Sequence, residues 1–324
     1  GVAELVLAPS NPDKLFVAMW SFHRKPWTFT SGGAGSGLYV THDGGDAWTR
    51  LDEETGLPGG KLGRMGLATS AADPDIVYAL IEAESGTGLY RSEDGGRKWG
   101  LVQDKAVGNR PFYYAEIHAD PTDPDHLFNL YSMVDESTDG GRTFETILPY
   151  SGVHPDHHAF FIHPDDPDFM LDGNDGGLNI SRDGGKTWDF VENLPLGQFY
   201  HIAVDNATPY NIYGGMQDNG SWVGPSEVWH QGGIRNEDWQ EVLFGDGFDV
   251  QPVDEHTVYA MYQGGSISRI DRRTGRSQSI QPVRPDSVPL RFAWNAALSL
   301  DPNDADGLYF GSQFLHHSSD RGAS

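Results

Sequence analysis

One eight-residue pattern recurs along the chain and restricts its fold more than any other feature. It reads Thr41-His-Asp43-Gly-Gly45-Asp-Ala-Trp48, Ser92-Glu-Asp94-Gly-Gly96-Arg-Lys-Trp99, Ser137-Thr-Asp139-Gly-Gly141-Arg-Thr-Phe144 and Ser181-Arg-Asp183-Gly-Gly185-Lys-Thr-Trp188. The aspartates step by 51, 45 and 44 residues. A fifth copy begins at Ser318-Ser-Asp320-Arg-Gly322, 137 residues beyond Asp183, which is about three further periods. Two degenerate copies are expected between them. Ser268 to Gly275 fills one place and Asp218 to Trp229, with less likeness, the other. A second signal keeps the same period. Pro-Asp clusters at Pro9–Asp13, Asp73–Asp75, Asp120–Asp125, Pro164–Asp168 and Asp301–Asp304 each separate two alternating apolar runs. Asp205–Pro209 and Gln251–Asp254 are weaker versions. Proline and aspartate between β-branched or aromatic runs make a hairpin turn.

One unit is therefore four strands, A to D, with the Pro-Asp turn between A and B and the aspartate pattern between C and D. Four-stranded units at a period of ~45 residues are the blades of a β-propeller. An all-β chain with seven blade repeats is expected over 1–52, 62–103, 112–148, 157–192, 198–241, 243–281 and 291–324, the last lacking strand D. No apolar period of 3.6 residues favours a helical solenoid. In the repeated pattern an aspartate accepts amides across a tight turn, and paired glycines take conformations other residues resist. Asp43, Asp94, Asp139, Asp183 and Asp320 read as structural staples, with the aromatic residue packing into the blade.

Composition narrows the partners. Aromatic residues make up 12%, too many for a disordered chain, and no apolar run reaches the ~20 residues of a membrane helix. Cysteine is absent, which excludes disulfides, thiolate metal sites and a cysteine nucleophile. The net charge of −25 opposes binding to nucleic acid or to an anionic membrane surface. The excess aspartate also fits a salt-adapted source.

On these residues the chain resembles the Asp-box, or bacterial neuraminidase repeat, propellers: sialidases, glycoside hydrolase family 74 xyloglucanases and sortilin-type domains. The stretch Gln198 to Trp222, with Gly173-Asn-Asp-Gly-Gly177 and Gly233 to Asp238, is similar to large exported bacterial proteins described as sortilin N-terminal domain or BNR-repeat glycosyl hydrolase. The resemblance implies a secreted, periplasmic or cell-surface protein. It also implies a longer polypeptide, with further blades or a second propeller. In these families the box lies away from the ligand.

A–B and C–D turns share one end of the blades; B–C and D–A connections share the other. The long connections, Ser21–Ser36, Gln103–Pro111, Pro149–His157, Glu192–Gly197 and Gly224–Asp238, are assigned to the second end, where function usually sits. Asn174, Tyr200, His201, Gln217, Asn219, Arg235 and Trp294 are the expected ligand-binding residues there. Amides and flat aromatics suit a sugar or an extended peptide. Hydrolysis of a glycoside needs two carboxylates across the scissile bond, and Asp175, Asp218 and Asp246 are the candidates. They are expected to converge in one pocket, with Asp246 at the start of a strand A; if that pocket is catalytic, one carboxyl should be raised in pKa. The chain thus reads as an exported propeller binding carbohydrate or peptide, with a family-74-like glycoside hydrolase as the alternative. No cofactor and no metal are expected. His154, His157 and His158 beside Asp156 suit strand-end hydrogen bonds better than zinc, since adjacent strand residues point to opposite faces. Arg110, Arg235 and Arg291 are too scattered for a sialidase.

Overall fold

A computed structural model describes residues 1–108, 110–194, 196–284 and 288–324. Asn109 and Pro195, inside two of the expected long connections, lie outside the described residues. The fold is all-β and of the β-propeller type, with only three short 3-10 turns among the described residues. No helix among them is long and apolar enough to cross a membrane. The chain divides into two compact units, 1–192 and 193–324.

The first unit holds four sheets, each an antiparallel meander in the order A-B-C-D. Sheet one runs Val2–Ala8, Asn11–Met19, Gly37–Thr41 and Thr49–Leu51. Sheet two runs Leu62–Thr69, Val77–Ala83, Gly88–Ser92 and Gly100–Gln103. Sheet three runs Glu116–Ala119, Leu127–Leu130, Val134–Ser137 and Glu145–Leu148. Sheet four runs Ala159–His163, Asp166–Asn174, Gly177–Ser181 and Asp189–Phe190. A separate hairpin, Phe22–Lys25 with Thr28–Ser31, occupies the B–C connection of sheet one.

The second unit holds three. Sheet five runs Phe199–Val204, Asn211–Met216, Ser221–Pro225 and Gln240–Leu243. Sheet six runs Val250–Pro252, Thr257–Tyr262, Ser266–Asp271 and Arg276–Ser279. Sheet seven has three described strands, Leu298–Leu300, Leu308–Gly311 and Leu315–Ser318. Within each unit, apolar layers fill the space between consecutive sheets. Phe16, Leu38, Met65 and Trp99 close the first, and Phe248, Tyr259, Ile267 and Phe310 the last.

The repeated aspartate turns are hydrogen-bonded alike. In sheet two the Ser92 hydroxyl donates to Asp94 Oδ1 at 2.9 Å and accepts the Gly96 amide at 2.8 Å. Asp94 Oδ1 then accepts the amides of Arg97 and Lys98. The same set recurs around Asp43, Asp139, Asp183 and Asp320. The amide after each of these aspartates also donates to an aspartate carbonyl in its sheet's Pro-Asp turn: Gly44 to Asp13, Gly95 to Asp75, Gly140 to Asp125, Gly184 to Asp168 and Arg321 to Asp306. The two periodic signals in the sequence are thus two halves of one tie.

The structure corrects three expectations. Trp99 is buried between sheets one and two, but Trp48 is 42% exposed. Strand A of sheet six begins at Val250, which leaves Asp246 in the preceding connection. Residues 226–239 link strands C and D of sheet five, since Asn211 pairs with Pro225 and Ser221 with Leu243. That connection therefore stands at the A–B end, not at the end assigned to it from sequence.

Two outcomes test the staples. Ser92→Ala removes a buried hydroxyl and orphans the Gly96 amide, and should cost about 1–3 kcal/mol in a urea titration. An unchanged midpoint would contradict the role. The turn carboxylates are held below the usual range, Asp139 chiefly by the Thr143 amide and Asp320 chiefly by the Ser324 hydroxyl, both to about 2. A depressed folded pKa gives stability that is complete above the unfolded value near 4 and is lost as pH falls towards 2. Melting temperature should fall steeply across that window, and a flat profile would speak against it.

Candidate functional site

The second unit brings Asp218 and Asp246 together at the B–C end of its sheets. Asp218 sits in the B–C turn of sheet five in a left-handed conformation, φ +57°. Its amide donates to Asp246 Oδ1 at 2.9 Å. The other oxygen, Oδ2, accepts the Trp294 indole N–H at 2.8 Å. The Asp246 amide donates to Gln263 Oε1 at 2.8 Å, in the B–C connection of sheet six. Through its buried carboxylate and its own amide, this one residue therefore ties three successive sheets. The approach requires glycine: a Cβ on Gly247 would lie 2.2 Å from the Gly220 carbonyl oxygen. The amide of Gly220 in turn reaches the Gly245 carbonyl.

Around this bracket stands a polar and aromatic rim. The Trp294 ring is 62% exposed although its N–H is anchored. Tyr200 packs on Phe248, ring centres 4.6 Å apart. Burial raises the Tyr200 hydroxyl pKa, and the charges of Asp246 and Asp218 add to the rise. Gln198 donates to Gln217 Oε1 at 3.0 Å, and the Asn219 amide group donates to the Gln217 carbonyl. The His201 ring meets Asn295 at 2.9 Å through Nε2, and Asp249 at 3.9 Å through Nδ1.

Asp249 is the residue the sequence reading missed. Burial raises its carboxyl pKa, against the nearby His201 and a bond from Gln251. It stands three residues after Asp246, in the same connection, and that spacing was the available signal. The raised carboxyl expected at this mouth is thus Asp249, a residue outside the candidate list.

Other predicted residues belong to the first unit or to other parts of the second. Asn174 and Asp175 belong to sheet four of the first unit. Asn174 bonds Asp172 and the Gly176 amide, and the Asp175 amide donates to the Pro155 carbonyl. Arg235 is in the C–D connection of sheet five, at the far end of that sheet from Gln217, because residues 226–239 replace a short turn there. His157 is buried against Asp172 at 2.8 Å. His158 stacks on Tyr114 and lies 3.6 Å from Glu116. Glu116 also pairs with Arg64 at 2.6 Å. No group of three metal-ligating side chains occurs among the described residues.

No family model matches the chain. It is 25% identical over 301 residues to a xyloglucanase of Paenibacillus sp, covering 90% of this chain and 25% of that protein. It is 25% identical over 236 residues to a xyloglucanase of Acetivibrio thermocellus, covering 71% of this chain and 24% of that protein. The chain spans about a quarter of the length of the curated relatives it matches. Among solved structures, the GH74 xyloglucanase of Xanthomonas campestris aligns with 99% of this chain and 44% of its own, at 16% identity and a TM-score of 0.44. YCF48 of Cyanidioschyzon merolae aligns with 100% of this chain and 96% of its own, at 13% identity and a TM-score of 0.39.

Asp246→Ala would orphan the Asp218 amide and the Trp294 indole together. It should cost about 1–3 kcal/mol of stability and increase quenching of Trp294 fluorescence, read against a Trp294→Phe background. A variant with wild-type urea midpoint and quenching would remove Asp246 from this role.

Proposed function

We propose that this propeller recognises carbohydrate and that its second unit grips a polysaccharide at the Asp246 bracket. The observation that carries the reading is the double use of Asp246. Both oxygens are committed, one to the turn of Asp218 and one to the indole of Trp294. That fixes an exposed aromatic face beside a carboxylate and a set of amides. Flat rings receive sugar C–H faces, while Gln217, Asn219, Gln198 and Asn295 supply hydroxyl partners in a pre-set geometry. Xyloglucanase relatives support a neutral glucan as the class. Such a ligand would be met outside the cytoplasm, which supports an exported protein.

Hydrolysis is a second reading, favoured by Asp249. A half-buried carboxyl whose pKa is raised suits a general acid, and a second carboxylate suits a base. Asp249 would give its proton to the glycosidic oxygen as the C–O bond breaks. Asp218 would take a proton from the attacking water.

Titration with xyloglucan oligosaccharides, followed by a reducing-end assay, tests both. Trp294→Ala should weaken binding roughly tenfold, equivalent to about 1.4 kcal/mol. If the wild-type chain ignores glucans and binds extended peptides instead, the carbohydrate reading fails. New reducing ends that vanish in Asp249→Asn, with binding retained, would establish the hydrolytic reading. Binding without turnover would leave recognition alone.

A further inference from the structure

The chain carries a net charge of −25, yet Arg269, Arg272, Arg273 and Arg276 fall within eight residues of sheet six. Register places Tyr259 opposite Arg269, Arg269 opposite Gln278, and Asp271 opposite both Thr257 and Arg276. Directly paired residues and those two apart share a face, so all six project to one side. A groove of about 430 Å³ opens there, bordered by Arg321 from the turn of sheet seven.

Sheet two holds the ordinary form of this arrangement. There Arg91 stands opposite Tyr78 and is paired with Asp125, in the A–B turn of the next sheet. Arg269 stands opposite Tyr259 in the same way, and its counterpart carboxylate is Asp306. That carboxylate is already taken. Arg321 occupies the place held by Gly44, Gly95, Gly140 and Gly184 in the other turns, and keeps their left-handed backbone at φ +62°. Its guanidinium binds Asp306 at 2.6 Å and Asp254 at 2.9 Å. Arg269 is left with two neutral oxygens, the Arg321 carbonyl at 3.0 Å and Gln278 Oε1 at 2.7 Å. Among the described residues Arg276 has no acidic partner within 4 Å, and the buried Tyr259 hydroxyl has no hydrogen-bond partner. Asp271, the carboxylate inside the groove, is held by both the Nε and an NH2 group of Arg273.

We propose that this groove is an oxyanion site, in which Arg269 and Arg276 bind a sulfate, phosphate or carboxylate group. Guanidinium forks match the planar or tetrahedral oxygens of such groups. Long-range repulsion by the rest of the chain works against polyanions in general. Binding of one therefore requires a local site, short enough in range to escape that repulsion at a Debye length of about 10 Å in 0.1 M salt. The groove is at the C–D end of sheet six, the opposite end from the Asp246 bracket, so neither proposal depends on the other.

Calorimetric titration of the 324-residue chain with inorganic phosphate, inorganic sulfate and an oligogalacturonate tests it. The wild type should bind at least one of them, more weakly as sodium chloride is raised. The Arg269→Gln/Arg276→Gln double variant should lose about tenfold or more. Arg276→Gln alone, at an exposed position, keeps the test informative if the double variant folds poorly, and should lose part of the affinity. An oligogalacturonate that binds well above phosphate identifies a polymeric uronate as the source. Equal binding identifies a free oxyanion. No binding of any of the three, or binding indifferent to both variants, overturns the site.

Discussion

The tie between the two turns at one end of each sheet is the constraint on which the rest depends. An amide of the aspartate turn donates to the Pro-Asp turn of the same sheet, while a Ser or Thr hydroxyl and an aspartate oxygen satisfy the turn's other amides. Buried or half-buried amides must find partners, and here they find them within one sheet. One end of every stapled sheet is thereby short, closed and uniform. Neighbouring sheets can then pack face to face through apolar layers such as Tyr78, Leu89 and Leu127.

With one end fixed, variation collects at the other. The hairpin after strand B of sheet one, the connection holding Asp156 to His158 and the segment from Gly245 to Asp249 all lie at B–C or D–A positions. Rigid strands carrying irregular connections allow polar groups from several sheets to meet without disturbing the core. Asp246 shows how. It is itself buried, but what it presents, the Trp294 ring and the Asp218 turn, is at the surface. The carboxylate positions others, while the half-buried Asp249 three residues on has its carboxyl pKa raised by burial.

The same staple, altered at one residue, produces the arginine groove. A glycine in the left-handed conformation has no side chain to offer. Arg321 in that conformation has one, and it takes Asp306, the counterpart of Asp125, away from Arg269. A structural device repeated five times thus acquires, in one copy, an electrostatic consequence opposite in sign to the chain as a whole.

The all-β character, the four-stranded unit and the staple role of Asp43 to Asp320 were legible in the sequence, because turn chemistry is local. A serine, an aspartate and paired glycines within eight residues make the same bonds wherever they occur. The rim was legible in part. Gln217, Asp218 and Asn219 follow directly from the B–C turn, and Tyr200 and His201 from the start of strand A. The sequence did not show that Gly224 to Asp238 belongs to the stapled end, since a degenerate copy hides which strands the loop connects. That error carried Arg235 to the wrong end. Nor did it distinguish Asp246 from Asp249. Which carboxylate is spent on an indole and a turn amide, and which is left half-buried near a histidine, depends on groups 28 to 48 residues away. Local spacing determined the repeat and its turns. Only tertiary packing decided the site, because it sets which groups lose water and which partners they meet.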